Sequence, residues 1–222
     1  MIVYPIHSAL AGQRLVVVDV EGNGQQPPEI VELAAVTITD STVSEPVSWL
    51  VKPERPITAL VTRKVHGISN TAVAAAPPFT EIRHQVEAVL AGGWLVAHNA
   101  RVEVELLARQ LPEFAPGGVL DTLGLARVLW PGRDSYGLDA LIRQERLDLS
   151  AVAKSRRHRA AYDAYATALL LLCLLAAAPP TVTSLRHLAE LAPFRPSTSS
   201  AGEVGHAGGQ PEQPSLWAPP SQ

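Results

Sequence analysis

The sequence holds one cysteine, Cys173, in 222 residues, which excludes an intramolecular disulfide. That cysteine lies in an apolar run of helical character, where a thiol packs as a small hydrophobe. Aromatic residues make up only 5% of the chain and charged residues 18%, with a net charge of −3, so charge alone points to no partner. The longest apolar stretch, 164–178, is interrupted by Thr167 and is shorter than the ~20 residues a membrane span needs. Residues 1–10 contain a proline and a histidine and lack a basic start, so no secretory signal pattern is visible. No internal repeat is found. A cytoplasmic protein without a membrane segment is the expectation.

What is present is enough for one sizeable core: 47% of the residues are hydrophobic. Composition shifts near residue 193, after which Pro, Gly, Ser and Gln dominate and few apolar residues remain. Such a segment cannot bury enough surface to offset the entropy of ordering. The expected division is a domain over 1–192 and a disordered tail over 193–222.

Within the domain, 15–18 reads as a buried strand, followed by β-rich runs at 31–39 and 43–51 joined at Asp40-Ser41. Apolar residues at helical spacing mark helices through Ile57 to Val65 and from about Thr80 to Leu90. A short strand at 94–97 precedes a helix over 102–111, and a strand at 119–120 precedes a helix over 122–129. Leu138, Leu141 and Ile142 mark a further helix, and a long one spans 159–178. Strands first, then alternating helix and strand, predict a mixed α/β sheet.

The chemistry concentrates in three places. Asp19 and Glu21 end the apolar β-branched run Val16-Val17-Val18. Strand side chains alternate, so both carboxylates share one face while Val20 turns the other way. Two such acids repel unless a cation lies between them, and hard divalent ions take oxygen ligands of this kind. Downstream, His98-Asn99-Ala100 is followed by Glu103, and His158 is followed five residues later by Asp163.

These three segments, in this order and spacing, resemble the DEDD-type 3′–5′ exonucleases, in the branch that uses a histidine as general base. Asp19-Val20-Glu21 matches the first motif. His98-Asn99-Ala100-Arg101-Val102-Glu103 matches the second, usually His-Asn-Ala-x-Phe-Asp. His158 with Asp163 matches the third, and the likeness covers about residues 14–178. Lys64–Ile68 and Asp121–Arg127 are similar to secondary landmarks of the family. The resemblance implies a ribonuclease H-like fold and a metal-dependent 3′–5′ exonuclease acting on single-stranded DNA 3′ ends. A ribonuclease of the same family, or a weakly active module recruited through its tail, is the alternative.

Two Mg²⁺ or Mn²⁺ ions ~3.5–4 Å apart serve such chemistry. By the resemblance, Asp19 bridges both ions, Glu21 and Asp163 complete the first site, and Glu103 serves the second. His158 is the implied general base, since an imidazole's ordinary pKa of about 6.5 suits proton transfer near neutral pH. Gripping a short 3′ end takes few phosphate contacts, so the mild negative charge is no obstacle.

Substrate-binding candidates are Gly22, Asn23, His66, His98 and Asn99. For His98 and Asn99, fixing the local turn is the simpler role. For His66 a structural role is equally open, and for Thr122 a helix cap is the simpler account. Two departures stand out. Glu103 replaces the family's aspartate, moving its carboxylate one methylene outward. Gly22-Asn23 replaces a threonine pair that seats the terminal nucleotide, so Asn23 must substitute or the pocket is looser.

In the tail, Gln213-Pro214-Ser215-Leu216-Trp217 is similar to the short peptide by which bacterial polymerase subunits hold the sliding clamp. Gln213, Leu216 and Trp217 are the candidate partner-binding residues, because anchors of this type in a disordered arm suit pocket binding.

Overall fold

A computed structural model of the chain describes residues 7–155 and 157–196. Its centre is a six-stranded mixed sheet. Strand β1 (Arg14–Gly22) runs antiparallel to β2 (Ile30–Thr39), with Asp19 opposite Ala34 and Glu21 opposite Glu32. The expected turn at Asp40-Ser41 is present, both residues in the left-handed region that a tight hairpin favours. The expected single strand over 43–51 is two short ones, β3 (Thr42–Val43) and β4 (Val47–Leu50), each paired to β2. Pro46 lies between them and has no N–H to give to a ladder.

Helices α1 (Ala59–Lys64), α2 (Asn70–Val73) and α3 (Phe79–Leu90) follow. Strand β5 (Trp94–Ala97) then adds parallel to β1, and β6 (Val119–Asp121) parallel to β5, with α4 (Arg101–Gln110) between them. Helices α5 (Thr122–Leu129), α6 (Leu138–Glu145), α7 (Ala160–Ala177) and α8 (Leu185–Leu191) complete the fold. The sequence reading did not anticipate α2 or α8. Both are short and capped by a serine hydroxyl, Ser69 and Ser184 respectively.

Alternation along the strands divides the core in two. Leu15, Val17, Ala34, Val36, Val96 and Leu120 face α7 and its neighbours α5, α6 and α8. Val16, Val18, Leu33, Ala35, Leu95 and Ala97 face α3 and α4. Because side chains two apart share a face, Asp19 and Glu21 must point to the side of Leu15 and Val17, which is the α7 side.

Helix α7 has 18 residues and a mean hydropathy of 1.7, enough by length and composition alone to cross a membrane. Yet 67% of it is buried inside the protein, packed over β1 and β2, as a central core helix is.

Candidate active site

The carboxyl ends of β1 and β5 open into a cavity of about 920 Å³. Asp19 and Glu21 reach it from β1, and Asp163 from the first turn of α7. Carboxylate oxygens of these three residues lie within 4.8 Å of one another. Glu21 and Asp163 are buried and Asp19 is half-buried. Loss of water, followed by repulsion from Asp163 and Glu32, pushes Glu21 up to about 8. Burial, then the nearby Asp139, pushes Asp163 up to about 7. Asp19 is likewise raised well above the carboxylate range, by desolvation first and then by Asp163, Glu21 and Glu103. Acids so crowded and so dry are held as carboxylates only by cations.

Among the described residues no cation forms an ion pair with the three acids: Arg159 pairs with Glu32 and eases Glu21 only from a distance, as Arg157, paired with Asp139, eases Asp163. Arg159 Nε and Nη2 donate to the two Glu32 oxygens at 2.8 and 2.5 Å, and the Ala160 N–H donates to Glu32 at 3.0 Å. Glu32 therefore caps α7 from the neighbouring strand. This contact fixes where the first turn of α7, and with it Asp163, meets Glu21. The sequence analysis missed both partners. The available signal was a lone acid in the otherwise apolar run of β2.

His158 precedes the α7 cap in a left-handed conformation, φ 55°. That turn aims its backbone N–H at the Asp163 carboxylate, while its exposed ring lines the cavity.

Glu103 comes from the first turn of α4 and lines the same cavity, although it is not one of the three clustered acids. It is 5% exposed, and its Oε2 has no hydrogen-bond partner. Burial, then repulsion from Asp121 and Glu21, pushes it up to about 8. A buried carboxyl oxygen without a donor costs free energy unless something positive meets it. The donor set of Asp19, Glu21, Asp163 and Glu103, all hard oxygens, thus fits divalent cations such as Mg²⁺ or Mn²⁺.

The remaining candidates divide. Gly22 and Asn99 line the cavity. Asn23 does not: it is fully buried, its Oδ1 accepting from the N–H groups of Gln25 and Glu29 at 3.1 and 3.0 Å and its Nδ2 donating to the Arg55 carbonyl. It stitches the loop after β1 rather than standing in for the family's threonines. His66 is also fully buried, with Nδ1 accepting from the Ile68 N–H and Nε2 3.1 Å from the Gly22 carbonyl. His98 has Nδ1 3.0 Å from the Thr122 hydroxyl and Nε2 3.0 Å from the Tyr136 carbonyl, and burial lowers its pKa. All three side chains are committed to the scaffold beneath the cavity.

The cap at the start of α5 is Asp121, not Thr122. One Asp121 oxygen accepts from both the Leu123 and Asn99 N–H groups at 2.9 Å. Thr122 is buried and donates to the Ala97 carbonyl. Phe194 and Pro196, beyond the point where composition shifts, also line the cavity. Gln213, Leu216 and Trp217 lie outside the described residues.

A mixed sheet flanked by helices, with acids gathered at the carboxyl ends of its central strands, defines a nuclease of the ribonuclease H-like class. Comparison with known proteins narrows that class. Residues 16–171 match the family model described as Exonuclease. Exodeoxyribonuclease 10 of Escherichia coli K12 is 36% identical over 159 residues, covering 72% of this chain and 67% of that protein. The 3′-5′ exonuclease DinG of Bacillus subtilis is 34% identical over 192 residues, 80% of this chain but only 20% of that longer protein. Among solved structures, Exonuclease X in complex with 5′ overhanging duplex DNA superposes with a TM-score of 0.64 at 34% identity, covering 80% of this chain and 99% of the other. Escherichia coli Exonuclease I bound to a dT13 oligonucleotide shares the fold, with a TM-score of 0.60 at 18% identity, over 73% of this chain and 41% of that one. The chain belongs to the DEDD 3′–5′ exonuclease family.

Proposed function

We propose that this protein is a divalent-metal-dependent 3′–5′ exonuclease that removes nucleoside 5′-monophosphates from single-stranded DNA 3′ ends, in proofreading, repair or end-trimming. The observation that carries the reading is the convergence of the Asp19, Glu21 and Asp163 oxygens within 4.8 Å, beside an exposed His158 in one cavity. The preference for DNA is supported by the 36% identical exodeoxyribonuclease and by the DNA-bound Exonuclease X structure.

In this reading Asp19, Glu21 and Asp163 hold one ion and Glu103 serves the second. When bound, these ions supply Lewis acidity that neutralises the scissile phosphate and activates water. His158 accepts the proton of that water at a ring nitrogen, and the Asp163 carboxylate fixes its position through the His158 backbone N–H. The Glu32–Arg159 pair holds the α7 terminus so that His158 and Asp163 meet the β1 acids. His98, His66, Asn23 and Asp121 act one layer below, keeping the loops that carry Gly22 and Asn99 in place.

The test is a side-by-side digestion of 3′- and 5′-labelled single-stranded DNA and RNA with Mg²⁺ or Mn²⁺. The expected result is stepwise release of mononucleotides from the 3′ end of DNA, lost on chelation. Release from the 5′ end, or internal cleavage alone, would overturn the reading. Preferential digestion of RNA would move the assignment to the exoribonuclease branch.

A further inference from the structure

The α4 wall of the cavity carries more than the metal-facing Glu103. Helix α4 runs along it, and Arg101, Glu103, Glu105, Ala108 and Arg109 all contribute to the lining. Arg101 and Arg109 are exposed, and neither makes an ion pair or side-chain hydrogen bond among the described residues. Eight residues apart on a helix, they stand about 12 Å from each other along its axis.

On the same side the chain following α8 returns to the site. Phe194 lines the cavity and also packs, as Val20, Val102 and Val104 do, against the apolar cluster between the sheet and α3 and α4. In a chain with 5% aromatics, Phe194 is the one aromatic among the described lining residues. A single strand is gripped sequence-independently by cations that follow its backbone and by an aromatic face on which a base stacks. Both ingredients line the one cavity that holds the acids.

We propose that Phe194, with Arg101 and Arg109 of α4, forms the strand-binding track that feeds a 3′ end to the acids. Phe194 stacks on a nucleobase and the two arginines take backbone phosphates. None of the three is among the acids and histidines of the motifs, although Arg101 stands within the second one. The track explains how a protein of net charge −3 holds a polyanion: two exposed guanidiniums, without an ion pair among the described residues, line the cavity. It rests on the exonuclease reading and names its substrate contacts.

The test uses the full chain carrying Asp19→Asn, so that bound strand is not digested, and a short fluorescein-labelled oligothymidylate followed by anisotropy in Mg²⁺. Phe194→Ala should weaken binding about tenfold or more, the order a lost base–aromatic stack produces. Phe194→Trp should restore it, since any large aromatic face serves. On a strand whose 3′ nucleotides are abasic, the Phe194→Ala effect should vanish, because no base remains to stack. Arg101→Ala with Arg109→Ala should lower the slope of log affinity against log salt by about 1.4, two phosphates at about 0.7 each.

A Phe194→Ala protein that binds within twofold of its parent would overturn the stacking role. So would an equal loss on normal and abasic strands, which marks a merely structural residue. Tighter binding on removal of Phe194 would overturn it as well, identifying the segment as an obstruction. These outcomes are read without catalysis. A wild-type protein that binds the strand through this track but releases no nucleotide would sink the enzymatic reading and leave the track standing.

Discussion

The acids of the cavity make the metal-free protein less stable as pH rises, and divalent cations should reverse this. Glu21 and Glu103 are held at about 8 and Asp163 at about 7, against ordinary values of 4.5, 4.5 and 3.8. A raised pKa means that the folded chain binds more protons than the unfolded chain. The stability these protonated groups contribute is full below about pH 4 and is lost as pH climbs through 7 to 8. For the fully buried Glu103 alone, ionisation in place costs on the order of 4–5 kcal/mol, at about 1.4 kcal/mol per pH unit of displacement. That is a large part of the ~5–15 kcal/mol by which a domain is stable. At about 2–4 °C per kcal/mol for a domain of this size, the melting temperature in EDTA should fall by roughly 10 °C between pH 5.5 and 8.5. Mg²⁺ at a hundred times its dissociation constant adds about 2.7 kcal/mol. Its stabilisation should be large at pH 8.5 and small at pH 5.5, where protons compete for the same oxygens. Scanning calorimetry across this range, with and without Mg²⁺, reads both trends. Glu103→Gln, which keeps the shape without the charge, should flatten the EDTA curve. A melting temperature in EDTA that is level or rising from pH 5.5 to 8.5 would refute the reasoning.

Asp19→Asn should abolish nucleotide release while preserving the fold by circular dichroism, because the amide is a poor ligand at the centre of the acid cluster; near wild-type cleavage would remove Asp19 from the site. Glu103→Ala should lose about a hundredfold or more in kcat, while Glu103→Asp stays active, as expected when a charge-positioning group is removed or merely shortened. His158→Ala should be slow even at saturating metal, and a full-speed variant would show that the water needs no base from this residue. Arg159→Ala strands the Glu32 carboxylate, whose side chain is only 4% exposed, and should cost about 3 kcal/mol in urea unfolding. Arg159→Lys should recover part of that loss, since a point charge replaces the two-pronged contact.

Much of the site was legible because its chemistry is encoded in local spacing. Alternation along a strand puts Asp19 and Glu21 on one face whatever the fold. The four residues between His158 and Asp163 span a helix start, so their proximity is a local property too. The buried run 15–18 is the middle of a strand that starts at Arg14 and carries Asp19 and Glu21 on to Gly22. The break at Pro46 and the serine caps of α2 and α8 were readable signals, but in elements of two to seven residues the hydrophobic period is too brief to register.

Other assignments needed the tertiary structure. Asn23, His66 and His98 carry polar groups suited to a ligand or to a buried scaffold, and sequence cannot tell which. Only the packed chain turns them inward onto the carbonyls and N–H groups that occupy them. Glu32 and Arg159 are 127 residues apart, and no local pattern joins them; β2 and the start of α7 must be packed before the pair exists. Phe194 falls where composition alone reads as tail, yet it meets the cavity because α8 directs the chain back across the α4 face. The sequence by itself determined the carboxylate pair, the histidine and acid five apart, and the order of the longer strands and helices, because those follow from the periods of strand and helix. Tertiary structure alone decided which acid received an arginine, which were left crowded without an ion pair among the described residues and which side chains face the opening, because desolvation and long-range contact exist only once the layers have closed.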